Sequence, residues 1–131
     1  KDIINQRASV LLDKIDIADQ IDKLPSQVSG GQKQRAAIAR AMINEPDILF
    51  ADEPTGALNS SSSKAVLELI KSFNVEGQTI VMVTHDIEAA SYANRVIFLK
   101  DGRIEGELDL IKYQTNNQEK VIFDFLSEKG W

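Results

Sequence analysis

The sequence contains no cysteine and a single histidine, His85. The absence of thiols excludes disulfides and thiolate metal sites, and it agrees with a reducing compartment. One histidine without a second imidazole or a thiol does not favour a metal site either. The net charge is −5 and no basic tract stands out, which argues against nucleic acid as the main partner.

Long apolar segments are also missing. No apolar run approaches the roughly 20 residues that a membrane-spanning helix needs, and no signal peptide is visible. The chain begins with Lys1 rather than Met, so we expect a cut or processed chain. Its 131 residues correspond to one ordinary domain or to part of a larger one, and the 43% hydrophobic content suffices for a packed core.

Helical and strand patterns alternate along the chain. Apolar residues at helical spacing predict helices over residues 3–15, 32–43, 61–73, 87–93 and 118–128, with a short helix or loop in residues 16–27. The apolar stripe of the first helix consists of Ile4, Ala8, Leu11, Leu12 and Ile15. Short uninterrupted apolar runs predict buried strands at 48–51 and 79–84. The segment RVIFLKDGRIEGEL, residues 95–108, predicts a hairpin that turns at Asp101 and Gly102.

Two apolar strands with a helix between them predict an α/β fold whose parallel sheet is covered by helices on both faces. In such sheets, ligands bind beyond the carboxyl ends of the strands. Asp52 and Glu53 directly follow the first strand, and His85 follows the second. These three side chains are therefore candidates for a ligand site.

The acidic pair admits two interpretations. Beside a phosphate group, Asp52 could hold Mg²⁺, usually through water, because this ion prefers hard oxygen ligands and keeps part of its hydration shell. Glu53 could then polarise or deprotonate an attacking water. Alternatively, both are solvated turn acids followed by the ordinary turn residues Pro54 and Gly56. For an isolated acidic pair, the second interpretation is favoured.

The stretch SQVSGGQKQRAAIARAM, residues 26–42, carries a second candidate site. Ser29 and Gln32 have the spacing of a capping box, which marks the start of a helix. Gly30 and Gly31 let backbone N–H groups approach a ligand at a helix end whose dipole favours anions. A capped helix preceded by a flexible glycine pair explains the same residues, and the stretch alone does not decide between the two readings.

Together these segments resemble the ATP-binding-cassette (ABC) ATPases in order and in spacing. VSGGQ (28–32) resembles the signature motif of that family, and ILFADE (48–53) resembles its Walker B strand with the catalytic glutamate. GALN (56–59) corresponds to its D-loop, and THD (84–86) to its switch-histidine loop. The resemblance runs over nearly the whole chain. It implies a partial P-loop NTPase fold, with residues 1–45 in the helical subdomain and residues 46–131 forming the C-terminal half of the ATPase core, including the hairpin and last helix.

The resemblance also implies a role for each motif residue. Asp52 would serve Mg²⁺, Glu53 would activate water, and His85 would sense the γ-phosphate of ATP. The signature residues would bind ATP that is held by the opposite subunit of a dimer, and the D-loop would lie beside them. These signature and D-loop residues are Ser29, Gly30, Gly31, Gln32, Gly56, Ala57, Leu58 and Asn59.

Two features depart from the pattern of the family. Gly56 and Asn59 replace the commoner serine and aspartate of the D-loop, which removes the carboxylate of the usual contact across the dimer. No G-x-x-x-x-G-K-[ST] sequence is present, so the loop that cradles phosphates is missing. In the family that loop, the adenine-stacking aromatic residue and the Q-loop precede the signature, so we expect them upstream of Lys1. The 131 residues alone are therefore expected to be inactive.

For the complete protein, the resemblance implies an ATP- and Mg²⁺-dependent motor of a membrane exporter. It would act as a dimer with a permease subunit, peripherally on the cytoplasmic side of the cell membrane. EPTGALN resembles the branch of lipoprotein-release and macrolide-export ATPases, and GQTIVMVTHDIEAASYANRVIFLKDGRI with the tail FLSEKGW resembles bacterial antimicrobial-peptide exporters of the bacitracin-resistance type. The alternative is a soluble cassette protein of translation or DNA repair, which the lack of long heptads disfavours. A third reading is a non-catalytic piece without a role of its own.

Overall fold

The computed structural model describes residues 2–113 and 117–131. It divides into two compact units, of which the first ends at Val83 and the second begins at Thr84. The division predicted from the resemblance, into residues 1–45 and 46–131, concerns subdomains of a larger protein and stays a prediction.

The first unit confirms the three long helices and the two apolar strands predicted for this part of the chain. In its described residues these are α1 (Asp2–Lys14), α2 (Gly30–Met42), β1 (Ile48–Asp52), α3 (Ser60–Val75) and β2 (Thr79–Val83). The polar segment between α1 and α2 forms two single turns of 3-10 helix, Ala18–Gln20 and Pro25–Gln27. After α2 ends, Glu45 has a positive φ of 51° directly before Pro46, where helical geometry is disfavoured.

The core of the first unit lies between α2, α3 and one face of the sheet. Its buried residues include Ile38, Ala39, Leu49, Val66, Leu69, Ile70 and Phe73, of which the last four lie on α3. The prediction for α1 is wrong in one respect, because Ile4 is 64% exposed and α1 contains no buried residue among those described. The stripe of α1 packs through its C-terminal half, where Leu11 and Leu12 are partly buried and Ile15 follows the helix into the core.

The two strands of the first unit pair in parallel, as predicted. Ile48 lies opposite Thr79, and Asp52 lies opposite Val83. Both carboxyl ends therefore lie at the same edge of this two-stranded sheet. The edge follows Asp52 on one strand and Val83 on the other, which is where the sequence places the candidate acidic residues.

One face of the sheet remains exposed, contrary to the prediction of burial on both faces. Leu49 and Ala51 pack toward the helices together with Ile80. The alternate residues point the other way: Phe50 is 72% exposed and Val83 is 55% exposed. Successive side chains of a strand face opposite sides of a sheet, and the described helices of this unit pack on one side only.

The second unit contains a hairpin against which a C-terminal helix packs. Its elements are α4 (Ile87–Ser91), β3 (Arg95–Lys100), β4 (Arg103–Asp109) and α5 (Gln118–Glu128), with a 3-10 turn at Leu110–Lys112. Asp101 and Gly102 both have positive φ, 50° and 74°, which confirms the predicted tight turn and matches the type that suits twisted hairpins. The buried residues Leu110, Ile122 and Leu126 form the core of this unit.

Gly106 on β4 allows the close approach of α5. A Cβ atom at this position would lie 2.9 Å from Cζ of Phe125 and 3.0 Å from Cε of Lys129.

Within residues 2–113 and 117–131, no helix combines the length and the apolar character that a membrane crossing requires.

Candidate functional site

The end of β1 places two carboxylates side by side in different backbone conformations. Asp52 is the last residue of β1, and its side chain is exposed. Glu53 has a positive φ of 45°, which turns the chain sharply away from the strand direction. The N–H of Glu53 donates a hydrogen bond to the carbonyl oxygen of Val83 at 2.8 Å, so the turn begins while the chain is still held to β2.

A compact turn follows the acidic pair. The N–H of Gly56 donates to the carbonyl oxygen of Glu53 at 3.1 Å, and the N–H of Leu58 donates to that of Thr55 at 3.0 Å. Pro54 is buried, and Thr55 is only 7% exposed. The segment after the strand is therefore anchored to the unit at its start, whereas Gly56 and Ala57 at its tip are exposed.

Asn59 ends this turn and begins α3. Its Oδ1 accepts hydrogen bonds from the N–H of Ser62 at 2.9 Å and from the hydroxyl of Ser61 at 3.0 Å. These bonds satisfy a backbone donor that a helix N-terminus would otherwise leave without a partner. The asparagine at the predicted D-loop position is thus a helix cap in this chain.

Ser29 caps α2 in the predicted manner. The N–H of Gln32 donates to Oγ of Ser29 at 3.2 Å, and the N–H of Ser29 donates to Oε1 of Gln32 at 2.8 Å. The capping box that the sequence indicates is therefore confirmed. The geometry also accounts for both polar residues without any ligand, so it does not by itself assign them a role in binding.

The two glycines of the VSGGQ motif contact the region around Asn59. A Cβ at Gly30 would lie 3.3 Å from Cδ2 of Leu58, and a Cβ at Gly31 would lie 3.0 Å from Cβ and Oγ of Ser62. Gly31 is buried, whereas Gly30 is exposed. The start of α2 and the start of α3 are therefore immediate neighbours, which brings two of the predicted motifs together in one unit.

His85 belongs to the second unit, directly after the boundary, and its side chain is exposed. Its neighbours are ordered by local hydrogen bonds. The N–H of Asp86 donates to Oγ1 of Thr84 at 3.0 Å, and Oδ1 of Asp86 accepts from the N–H of Glu88 at 2.9 Å as the cap of α4. The THD segment is therefore a fixed turn at the start of α4.

The donor set available for a divalent cation is small. In residues 2–113 and 117–131, no cluster of three or more histidine, cysteine, aspartate or glutamate side chains could hold a metal ion. Asp52 offers one exposed carboxylate at the strand end. Mg²⁺ commonly uses only one or two protein carboxylates together with water and substrate phosphates. The single carboxylate of Asp52 is therefore compatible with Mg²⁺, but not with a metal ion whose ligands all come from the protein.

Comparison with known proteins matches the chain to ABC transporters. A sequence profile described as ABC transporter matches residues 3–56. The macrolide export ATP-binding/permease protein MacB of Psychrobacter arcticus is 46% identical over 123 residues, which are 94% of this chain and 18% of MacB. The chain is similar to ABC transporter ATPases over nearly its whole length. This confirms the resemblance seen in the motifs, including the likeness to the macrolide-export branch.

Two further proteins extend this comparison. The ABC transporter ATP-binding protein YknY of Bacillus subtilis is 48% identical over 99 residues, 76% of this chain and 43% of YknY. A dimeric structure of the ATP-binding cassette MJ0796 bound to ADP and Pi has a TM-score of 0.68 and 44% identity, covering 80% of this chain and 46% of that chain. The chain thus spans less than half the length of the cassettes that it matches, and the predicted α/β cassette fold is confirmed.

Sequence reasoning did not single out Ser62. Its contact with Gly31 depends on how α2 packs on α3. The hydrophobic periodicity of the sequence does not predict which single residues of two helices meet. The available signal was weak: Asn59 is followed by four serines at 60–63, and such small side chains allow two helix ends to approach each other closely.

Proposed function

We propose that the complete protein to which this chain belongs binds and hydrolyses ATP to power a membrane exporter. The observation that carries the proposal is that one unit joins the acidic end of β1, the turn of residues 56–59 and the start of α2 through direct contacts. The 46% identity to a macrolide export protein over 94% of the chain supports export as the process.

The start of α2 suits contact with a phosphate group. Its exposed N-terminus carries the positive end of the helix dipole, and Ser29 presents a hydroxyl there. We assign Ser29, Gly30, Gly31 and Gln32 to the ATP held by the opposite subunit. The residues Gly56, Ala57, Leu58 and Asn59 would lie beside that nucleotide.

The strand end suits the chemistry of hydrolysis. Asp52 would hold Mg²⁺, which neutralises charge that develops on the phosphates. Glu53 would accept a proton from the attacking water, and its backbone hydrogen bond to Val83 holds the residue in place. His85, which lies just after the end of β2, would contact the γ-phosphate.

The similarity to ABC transporters supports two partners for the complete protein. A second cassette subunit would complete the composite site, in keeping with the dimeric MJ0796 structure. A permease would supply the membrane path, since MacB is named as an ATP-binding/permease protein. We place the assembly at the cytoplasmic side of the cell membrane, with antimicrobial peptides, lipoproteins or macrolides as the candidate substrates. Nucleic acid is not expected as a partner.

The experiment that tests this function uses the full-length protein expressed with its neighbouring membrane genes. Isolation from detergent-solubilised membranes should yield the cassette together with a permease, and the complex should hydrolyse ATP only when Mg²⁺ is supplied. A full-length protein that hydrolyses ATP without any membrane partner and co-purifies with ribosomes or DNA would favour the soluble alternative instead.

A further inference from the structure

We propose that Ser62 is a positioning residue for the VSGGQ motif, and that its side chain is the reason why position 31 is glycine. This inference rests on the proposed function, since it concerns how the motif is held for turnover. A Cβ at Gly31 would lie 3.0 Å from both Cβ and Oγ of Ser62 and 3.7 Å from its Cα. Carbon atoms at optimal separation are about 3.5–4.0 Å apart, so a methyl group at position 31 overlaps Ser62.

Ser62 cannot relieve this overlap by changing its rotamer. Rotation about χ1 moves Oγ but leaves Cβ in place, because Cβ is fixed by the backbone. The backbone of Ser62 is itself held, since its N–H donates to Oδ1 of Asn59 at 2.9 Å in the first turn of α3. The alternative is that α2 moves away from α3, and the start of α2 carries the motif.

Gly30 provides the contrast within the same motif. A Cβ there would approach only Cδ2 of Leu58, at 3.3 Å, and the end of a leucine side chain can rotate away. Gly30 is also exposed, whereas Gly31 is buried. The structure therefore distinguishes two glycines that look equivalent in the sequence, and it gives a packing requirement to the second one.

The consequence for function passes through the capping box. Gly31 lies between Ser29 and Gln32, which are hydrogen bonded to each other at 2.8 and 3.2 Å. A shift of the backbone at Gly31 displaces this pair from its place beside residues 56–59. Misplacement of a reacting group by about 1 Å can lower a rate by about 10²-fold. Gly31→Ala in the full-length protein should therefore lower kcat by about tenfold or more.

The test is a double-mutant cycle on Gly31→Ala and Ser62→Gly, measured by thermal melting of this chain and by ATPase rate in the full-length protein. Alone, Gly31→Ala should lower Tm by about 4 °C or more. In the Ser62→Gly background the same substitution should be neutral or should raise Tm, because alanine is the better helix former once the space is free. If Gly31→Ala does not fold, recovery of a folded double variant reports the same rescue.

Gly30→Ala is the matched control. It should have a smaller effect on Tm than Gly31→Ala, and Ser62→Gly should not rescue it, because its neighbour is Leu58. Rescue of both Tm and kcat for Gly31→Ala supports the proposal. Absence of rescue in Tm overturns the packing claim whatever the ATPase activity. Rescue of Tm without rescue of kcat also overturns it, because nucleotide would then be what requires the glycine. If the full-length wild type does not hydrolyse ATP, that result counts against the proposed function. The double-mutant cycle in Tm would still test the packing of Gly31 against Ser62.

Discussion

The backbone N–H of Glu53 donates a hydrogen bond to the carbonyl oxygen of Val83 at 2.8 Å, directly beyond the last pair of the parallel ladder, Asp52 opposite Val83. Glu53 also has a φ of 45°. The left-handed conformation costs a non-glycine residue roughly 1–2 kcal/mol. The first unit thus holds this carboxylate on a disfavoured backbone, a form of strain that is concentrated at functional sites.

This strain makes a prediction about stability. Glu53→Gly and Glu53→Ala both remove the carboxylate, but only glycine adopts positive φ without penalty. We expect the glycine variant to be more stable by about 1 kcal/mol in urea denaturation of this chain. At the neighbouring Asp52, which has no positive φ, the order should reverse. An alanine variant at position 53 that matches or exceeds the glycine variant would contradict the strain.

The cap at Asn59 makes a second prediction. Asn59→Ala removes the acceptor for the N–H of Ser62 and should destabilise this chain by about 0.5–2 kcal/mol. Asn59→Asp keeps the acceptor and adds a negative charge at a helix N-terminus, so its stability should equal or exceed that of the wild type. Chemical denaturation of the three proteins measures the difference. Equal losses in both variants would show that the oxygen at position 59 does not cap α3.

Ser29 allows capping to be separated from contact with nucleotide. Ser29→Asp retains a good capping group, but its charge should repel a γ-phosphate beside it. We expect Tm to stay near the wild-type value while ATPase activity of the full-length protein is lost. Ser29→Ala should lose about 0.5–2 kcal/mol of stability. Normal turnover in Ser29→Asp would leave Ser29 as a cap only.

The long elements were predictable because their periodicity is strong and local. The helix now seen at Ser60–Val75, the parallel strands and the turn at Asp101 and Gly102 all follow from patterns within a few residues. Exposure of Phe50 was not predictable, since an apolar strand residue does not reveal whether anything covers it. The same limit applies to the contact of Gly31 with Ser62, which depends on the approach of two separate helices.

The candidate site was predictable as a set of motifs, but not as a set of contacts. Order and spacing were enough to place Asp52 and Glu53 at a strand end, and Ser29 at a helix start. The positive φ of Glu53 could not be read from its residue type, because glutamate rarely adopts it. The hydrogen bond to Val83 that accompanies it joins residues 30 positions apart, beyond the reach of local patterns.

The missing phosphate-cradling loop makes a prediction about this chain on its own. Phosphoryl transfer depends on positioning and on charge stabilisation, and the cradle supplies much of both. Isothermal titration calorimetry with ATP and Mg²⁺ should detect at most weak binding, and no appreciable hydrolysis should occur. A Kd in the micromolar range or below would show that this chain binds ATP tightly without the phosphate-cradling loop.

The most direct measurement of the central claim is ATP turnover by the full-length protein carrying Glu53→Gln. The change keeps the shape of the side chain and removes the base, so turnover should be abolished while ATP-bound dimers accumulate in size-exclusion chromatography. Glu45→Gln is the matched control, because Glu45 also has a positive φ, 51° against 45° for Glu53, and it should turn over at the wild-type rate. Hydrolysis by Glu53→Gln at a rate near that of the wild type would contradict the role assigned to Glu53.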